Sequence, residues 1–415
     1  MARLILDLAG GEGIRIVGPA TLKVESGLAL LLGAELGPGA RIEVPRDRSY
    51  YVMAVEPSTI LLSLGEDGRL EHASPGEEPL KEWVGHVDEA LDSCGIPCKA
   101  VVIGPVDAGK TSVSALISNR ALLRGLKPQI IDGDIGQADI GPPGFVSSSI
   151  PQWYVLWLRS LEPDKMVFVG HVEPQYVEAR ILYGLMRLLL WGERRGAHVT
   201  VIDTDGWVEG WHAMEYKLNI LRAVNVDLVV TVGDKQLYKF LSRRWPATHI
   251  YLPKPARLLA RDTADRRRLR KENYRRFLHQ GVERDIDLNE TPIVNACIEP
   301  STLGTGSILV LKYPGGVCAY FDSESPPDPQ QGRAIAQKEG VKEALIIYKG
   351  GMRGVLVGLA DQEGWDHPGI VTDVNLSLGR LRVKTPYRGE IRYIVAGRLR
   401  LTEEYEDLGQ RRIWI

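Results

Sequence analysis

The sequence is poor in everything that marks a membrane protein or a disulfide scaffold. No uninterrupted apolar run approaches the roughly 20 residues that a bilayer span requires. At the N-terminus, Met1-Ala-Arg-Leu-Ile-Leu-Asp7 is followed by a Gly-rich turn where an export signal needs a longer apolar stretch. A cytoplasmic protein without membrane contact is expected. Cysteine is scarce: Cys94, Cys98, Cys297 and Cys318 lie too far apart for a disulfide framework and lack the paired spacing of a structural zinc site. Reduced, mostly buried thiols are the expectation. The net charge is only −2, which argues against a protein that coats nucleic acid indiscriminately, so any polyanion site must be local. Internal repeats and low-complexity segments are absent.

What is present suits a multidomain globular chain. Its 415 residues exceed one ordinary hydrophobic core, and two or three domains are expected. From Leu4 to about Leu64, short alternating runs such as Leu22-Lys-Val, Leu28-Ala-Leu-Leu-Leu and Ile42-Glu-Val predict a small all-β domain over residues 1–85. Gly65–Glu82 has linker composition and leads into a helix near Trp83–Ser93. From Lys99 onward, continuous apolar strands alternate with helical stretches. This predicts an α/β domain over 86–291, a parallel sheet with helices on both faces. Beyond Thr291 the helical pattern ends, and short strands at Val355–Gly358, Gly369–Val374, Gly379–Val383 and Arg392–Val395 predict a β-rich domain over 292–415.

The first strand of the middle domain, Ala100-Val-Val-Ile, runs into Gly104, Pro105, Val106, Asp107, Ala108, Gly109, Lys110 and Thr111, with Ser112 next. This is a complete GxxxxGK[ST] match between a strand and a helix. Such a loop turns backbone N–H groups toward phosphates, and the following helix aims its positive end at them. Lys110 is expected to reach the β- and γ-phosphates of ATP, and Thr111 to hold Mg²⁺. A second strand ends in Asp132-Gly-Asp134-Ile-Gly-Gln137, at the sheet edge where α/β proteins gather ligands. A carboxylate there can order a metal-bound water or accept the proton of an attacking hydroxyl, and an amide can orient the nucleophile. The bland alternative makes Asp132 and Asp134 turn and cap residues. A third strand ends at Asp203 and continues into Thr204-Asp-Gly206-Trp207; whether Asp203 lies beside Asp134 stays open. Trp207 and Trp211 are either packed aromatics or stacking surfaces for bases.

Between Lys254 and Arg276 there are ten basic residues against three acidic ones. A cationic helix hairpin there can neutralise a phosphoryl group in flight and grip phosphodiesters. Its structural alternative is a solvated face held by pairs such as Arg268–Glu272.

Four signatures together resemble the polynucleotide 5′-hydroxyl kinases related to the RNA 5′-kinase subunit of the eukaryotic pre-mRNA cleavage machinery, including archaeal and ribosomal-RNA-processing members. The phosphate loop has the Gly-Pro-x-Asp-x-Gly-Lys form, with Asp107 at the acidic position. Asp132-Gly-Asp134-Ile-Gly-Gln137 is similar to that family's Asp-x-Asp-x-Gly-Gln motif. Thr204-Asp-Gly206-Trp207 is similar to its Thr-x-Gly-Trp clasp. Leu252-Pro-Lys254 followed by Arg261 and Arg266-Arg267 is similar to its lid.

The resemblance covers about residues 100–280 and implies a three-domain ATP- and Mg²⁺-dependent kinase acting on the 5′-hydroxyl of RNA, with DNA as a further acceptor. It implies that Lys110, Asp134, Arg261 and Arg266 are catalytic and that Thr111 and Asp134 serve the metal. Gln137, Thr204, Gly206 and Trp207 would meet the substrate. An adenine contact near Glu12 or Glu35 is also implied. Asp203 departs from the family, where many relatives carry Asn. Three alternatives remain: an ATP-bound scaffold without turnover, a GTPase switch and a small-molecule kinase. Gly233-Asp234-Lys235-Gln236 lacks the Asn-Lys-x-Asp form of a guanine site.

Overall fold

The structure is a computed structural model that describes residues 2–46, 48–72, 78–255, 262–297 and 308–410. The chain divides into two units, the first formed by Met1–Asp132, Ser148–Glu162 and Leu185–Arg261, the second by Gly133–Ser147, Pro163–Gly184 and Asp262–Ile415.

In the first unit the N-terminal region builds two antiparallel sheets. One runs in the order Ala2–Leu8, Ser58–Leu64, Ala20–Ser26, Arg41–Val44. The other runs Ala34–Leu36, Ala29–Leu31, Ser49–Ala54, Gly13–Val17, Arg69–His72. Alternation along these strands buries Leu22, Val24, Val52, Ile60 and Leu62 in one core. The last strand, Arg69–His72, falls inside the stretch read as a linker; its pairing with Val17–Ile14 supplies the order that its composition did not signal.

The α/β part follows the apolar runs. Strands Pro128–Asp132, Val199–Asp203, Cys98–Ile103, Leu228–Val232 and Thr248–Leu252 lie side by side in that order, all parallel. The strand that feeds the phosphate loop is therefore central, with neighbours covering both of its edges. Helices Leu80–Ser93 and Lys110–Leu123 cover the face that presents Ala100, Val102, Val201 and Val230. The helix Lys110–Leu123 is also tied to the N-terminal sheets: Arg120 forms a two-pronged ion pair with Asp88 and reaches Glu35, and the Asn119 amide donates to the carbonyls of Leu32 and Val155. The family-style cores of strand, loop and helix thus match the α/β, parallel-sheet expectation, flanked by β sheets at either end of the chain.

In the second unit a six-stranded sheet runs Val282–Asp287, Arg380–Thr385, Asp366–Asn375, Val355–Ala360, Tyr393–Leu401, Asp407–Gln410. A three-stranded sheet comprises Ile308–Tyr313, Gly316–Phe321 and Glu343–Tyr348. The four strands expected beyond residue 350 are present. The expectation that helices end at Thr291 is corrected by the helix Pro329–Glu339. Asp328 caps that helix by accepting from the Gln330 N–H, and Pro329 opens it, a start signal that was there to be read.

The cysteine expectation is also corrected. Cys94–Cys98 and Cys297–Cys318 are disulfides, with Cα atoms 5.8 and 6.0 Å apart. The first pair closes the short loop between a helix end and a strand start, and the second is brought together only by tertiary folding. No described helix is long and apolar enough to cross a membrane.

Candidate functional site: a phosphate loop, a clasp and a cationic helix

The phosphate loop leaves the central strand at Ile103 and ends where Gly109 caps the helix Lys110–Leu123. Gly109 has φ of 99°, a left-handed conformation that a side chain resists, and no side chain caps the helix beneath it. The first-turn N–H groups of that helix therefore form an anion-binding head. Asp107, within the loop, also has positive φ, 56°. Lys110 is 7 % exposed, and its Nζ folds over the loop to donate to the Pro105 carbonyl at 3.0 Å. A phosphate oxygen is the charged acceptor that replaces such a carbonyl. Thr111 and Ser112 sit half-buried on the first turn. Trp83, 3 % exposed, lies against Gly109 and donates through Nε1 to the Pro253 carbonyl at 2.9 Å. The loop thus rests on an aromatic wall from the preceding helix, a support that no motif announced.

The Thr204–Trp207 segment packs on this loop. A Cβ at Gly206 would come within 2.9 Å of the Val106 backbone, so only glycine permits the approach. Thr204 Oγ1 donates to the Val102 carbonyl at 2.8 Å. Buried Asp205 organises the rest: it accepts from the Trp207 N–H at 3.0 Å and the Tyr216 hydroxyl at 3.0 Å, and pairs with Lys217 at 2.9 Å. Lys217 is fully buried and also donates to the Asp205 carbonyl at 3.0 Å. Trp207 lies half-buried, stacked on Tyr216 with centroids 5.7 Å apart and edge-on to His212 at 5.0 Å. Trp211 is 66 % exposed and is no core aromatic. Sheet register sets Asp203 opposite Asp132 rather than Asp134, both carboxylates buried at the strand ends.

Asp134, Gln137 and Arg266 belong to the second unit. Asp134 Oδ1 accepts from the N–H groups of Gly136 and Gln137 at 3.1 and 2.9 Å, so this carboxylate does shape its own turn. Arg266 is carried by the helix Thr263–Leu278, whose Asp262–Asp265 capping box fixes its start. Asn273 of the same helix donates to the carbonyls of Ala138 and Gly141 at 2.7 and 2.8 Å, which fastens the arginine-bearing helix to the loop that follows Gln137. Among the described residues the basic segment is one helix, not a hairpin, and Arg261 lies outside them. The pair Arg268–Glu272 is present at 3.1 Å, together with Lys271–Glu406 at 2.6 Å.

A cleft of about 1140 Å³ in this unit is lined by Arg267, Arg270, Lys271 and Arg398 together with Glu173 and Asp407. His171, also in its wall, is pushed down to about 4 by burial, with Arg398 and Arg180 adding to the effect and the Glu173 carbonyl opposing it. Glu35 is engaged by Arg120, and Glu12 accepts from the Ala9 N–H of its own turn at 2.8 Å.

Central strand, glycine-headed helix and parallel neighbours define a P-loop nucleotide-binding protein. More particularly, residues 104–280 match the family described as mRNA cleavage and polyadenylation factor CLP1 P-loop. The chain is 26 % identical to a polyribonucleotide 5′-hydroxyl-kinase of Pyrococcus horikoshii, over 77 % of this chain and 91 % of that protein. Identity is 27 % to its counterpart in Thermococcus kodakarensis, over 77 % and 93 %. Among solved structures, Clp1p in complex with a Pcf11p segment has the same fold, with a TM-score of 0.60 at 15 % identity, covering 96 % of this chain and 98 % of that one. The resemblance read from the four motifs holds.

Proposed function

We propose that the protein is an ATP-dependent polynucleotide 5′-hydroxyl kinase that transfers the γ-phosphoryl of ATP to the 5′ end of RNA, with DNA ends as a second acceptor. The observation that carries this reading is the close packing of Gly206 on Val106, which sets an aromatic clasp directly against a phosphate loop. A P-loop with its own neighbouring aromatic segment suits an acceptor that has bases to stack. The relatives named above as polyribonucleotide 5′-hydroxyl-kinases support the same acceptor. A cytoplasmic location and the division into domains 1–85, 86–291 and 292–415 are part of this reading.

In the mechanism, N–H groups from Val106 to Ser112 hold the phosphates, and Lys110 exchanges the Pro105 carbonyl for the β- and γ-phosphate oxygens. The donor set fits Mg²⁺: Thr111, at the head of the helix, and Asp134 would hold the ion, and buried Asp132 and Asp203 add two carboxylates paired in register at the strand ends. When bound, the ion neutralises phosphate charge. Asp134 accepts the proton of the attacking 5′-hydroxyl, and Gln137 orients that hydroxyl. Thr204, Gly206 and Trp207 seat the terminal nucleotide. Arg261 and Arg266 balance the charge that spreads over the phosphoryl oxygens in the transition state.

The test incubates the protein with γ-labelled ATP, Mg²⁺ and matched 5′-hydroxyl RNA and DNA oligonucleotides, with Lys110→Ala as control. Label on the 5′ end, lowered at least about 100-fold in the control, is expected. Nucleotide binding without label in the parent protein would establish a scaffold instead.

A further inference from the structure

The first unit carries an aromatic surface that the clasp does not use. Trp211 follows Trp207 by four residues, at the start of the helix Gly210–Val224, and is 66 % exposed. It meets Phe240 edge-on, centroids 6.2 Å apart. The Arg244 guanidinium lies 3.8 Å from the centre of the Phe240 ring. Around this group, Lys235–Arg244 holds Lys235, Lys239, Arg243 and Arg244 with no acid.

Two bland explanations cover part of the pattern. Cations at the end of a short helix complement its dipole, and Arg244 indeed donates to the Phe240 carbonyl at 3.1 Å. Neither accounts for a tryptophan left in water beside them. A protein partner would also favour tryptophan and arginine. The run of four cations without an acid, four residues of chain from the clasp tryptophan at its aromatic end, favours a polyanion with exposed π-faces, which is a single strand of nucleic acid.

We propose that Trp211, Phe240 and Arg244 form a stacking surface for unpaired bases downstream of the 5′ terminus, and that this surface makes single-stranded ends the preferred acceptor. The inference rests on the kinase reading for its substrate, but not for its test. A duplex keeps its bases stacked on one another and presents no free π-face to Trp211, so it gains nothing from the surface.

The experiment compares the parent protein with Trp211→Ala, Trp211→Phe and Arg244→Ala. Acceptors are a 5′-hydroxyl dinucleotide, a single-stranded 12-mer and the same 12-mer in blunt duplex. The expected result is a roughly tenfold rise in KM for the single-stranded 12-mer in Trp211→Ala. Its kcat, its thermal midpoint and its dinucleotide kinetics are expected to stay unchanged. Trp211→Phe should restore most of the loss, and the parent should prefer the single strand to the duplex.

An equal loss on dinucleotide and 12-mer would overturn the proposal, because the ring would then act at the terminal nucleotide. No loss on any acceptor would overturn it as well and leave the surface to a protein partner. Binding of a dye-labelled single-stranded 12-mer is read in parallel by anisotropy. Weakening by Trp211→Ala there supports the surface even if the parent shows no turnover, so failure of the kinase reading and failure of this proposal remain distinct.

Discussion

The clasp and the cationic helix solve the placement of a polar side chain in opposite ways. In the first unit, Asp205 and Lys217 are buried and paired, and Asp205 also accepts from the Trp207 N–H and the Tyr216 hydroxyl. In the second, the charges on Thr263–Leu278 are exposed or only half-buried, none of them fully buried, and the helix is held by its apolar face and by Asn273. A buried pair is costly to form and ruinous to break, whereas an arginine that solvent still reaches contributes less to stability. The contrast teaches that a clasp substitution should damage fold and turnover together, while a substitution on the cationic helix should damage turnover alone.

The sharpest test is Arg266→Ala. The expected loss is about 10³-fold in kcat, with ATP affinity and thermal midpoint nearly unchanged. An equal loss in affinity would reassign the arginine to ground-state binding. Next comes Lys217→Met, which keeps the volume and leaves Asp205 unpaired in the interior. A destabilisation of about 3 kcal/mol or more is expected by denaturant titration; a change below about 0.5 kcal/mol would remove the distinction drawn here. Asn273→Ala tests a buried polar anchor of the helix. It leaves the carbonyls of Ala138 and Gly141 without their donor and should cost about 2 kcal/mol.

The smallest effect concerns pH. His171 has a folded value near 4, below its ordinary 6.5, so between those values the unfolded chain binds the extra proton. Its contribution to stability is complete above pH 6.5 and is lost as pH falls toward 4. A His171→Gln variant should show a stability profile flatter by about 1–2 kcal/mol across that window. An unchanged slope would place the acid sensitivity elsewhere.

The phosphate loop and its neighbouring motifs were legible in the sequence because each signature is local. A phosphate loop is one strand, one turn and one helix end, and its glycines and lysine follow one another along the chain. The strands Cys98–Ile103, Pro128–Asp132, Val199–Asp203 and Leu228–Val232 announced themselves by apolar runs that a doubly covered sheet requires. Phe145–Ser149 did not, since its three serines show no apolar run; Gln129 bonds Ser148 in the buried sheet instead. Trp83 was read only as part of a helix, and its place behind Gly109 depends on two distant segments meeting. Nothing in the local sequence marks Lys217 as buried.

By itself, then, the sequence determined the class of loop, the parallel sheet, the clasp and the concentration of positive charge after residue 254. These are properties of neighbours in the chain, written in short-range spacing and composition. Only tertiary structure decided that Asp203 faces Asp132, that all four cysteines pair, that Lys217 is buried against Asp205 and that Trp211 is left in water. Each of those outcomes depends on which apolar faces are buried together and on how the chain between the partners folds, and no local pattern records that choice.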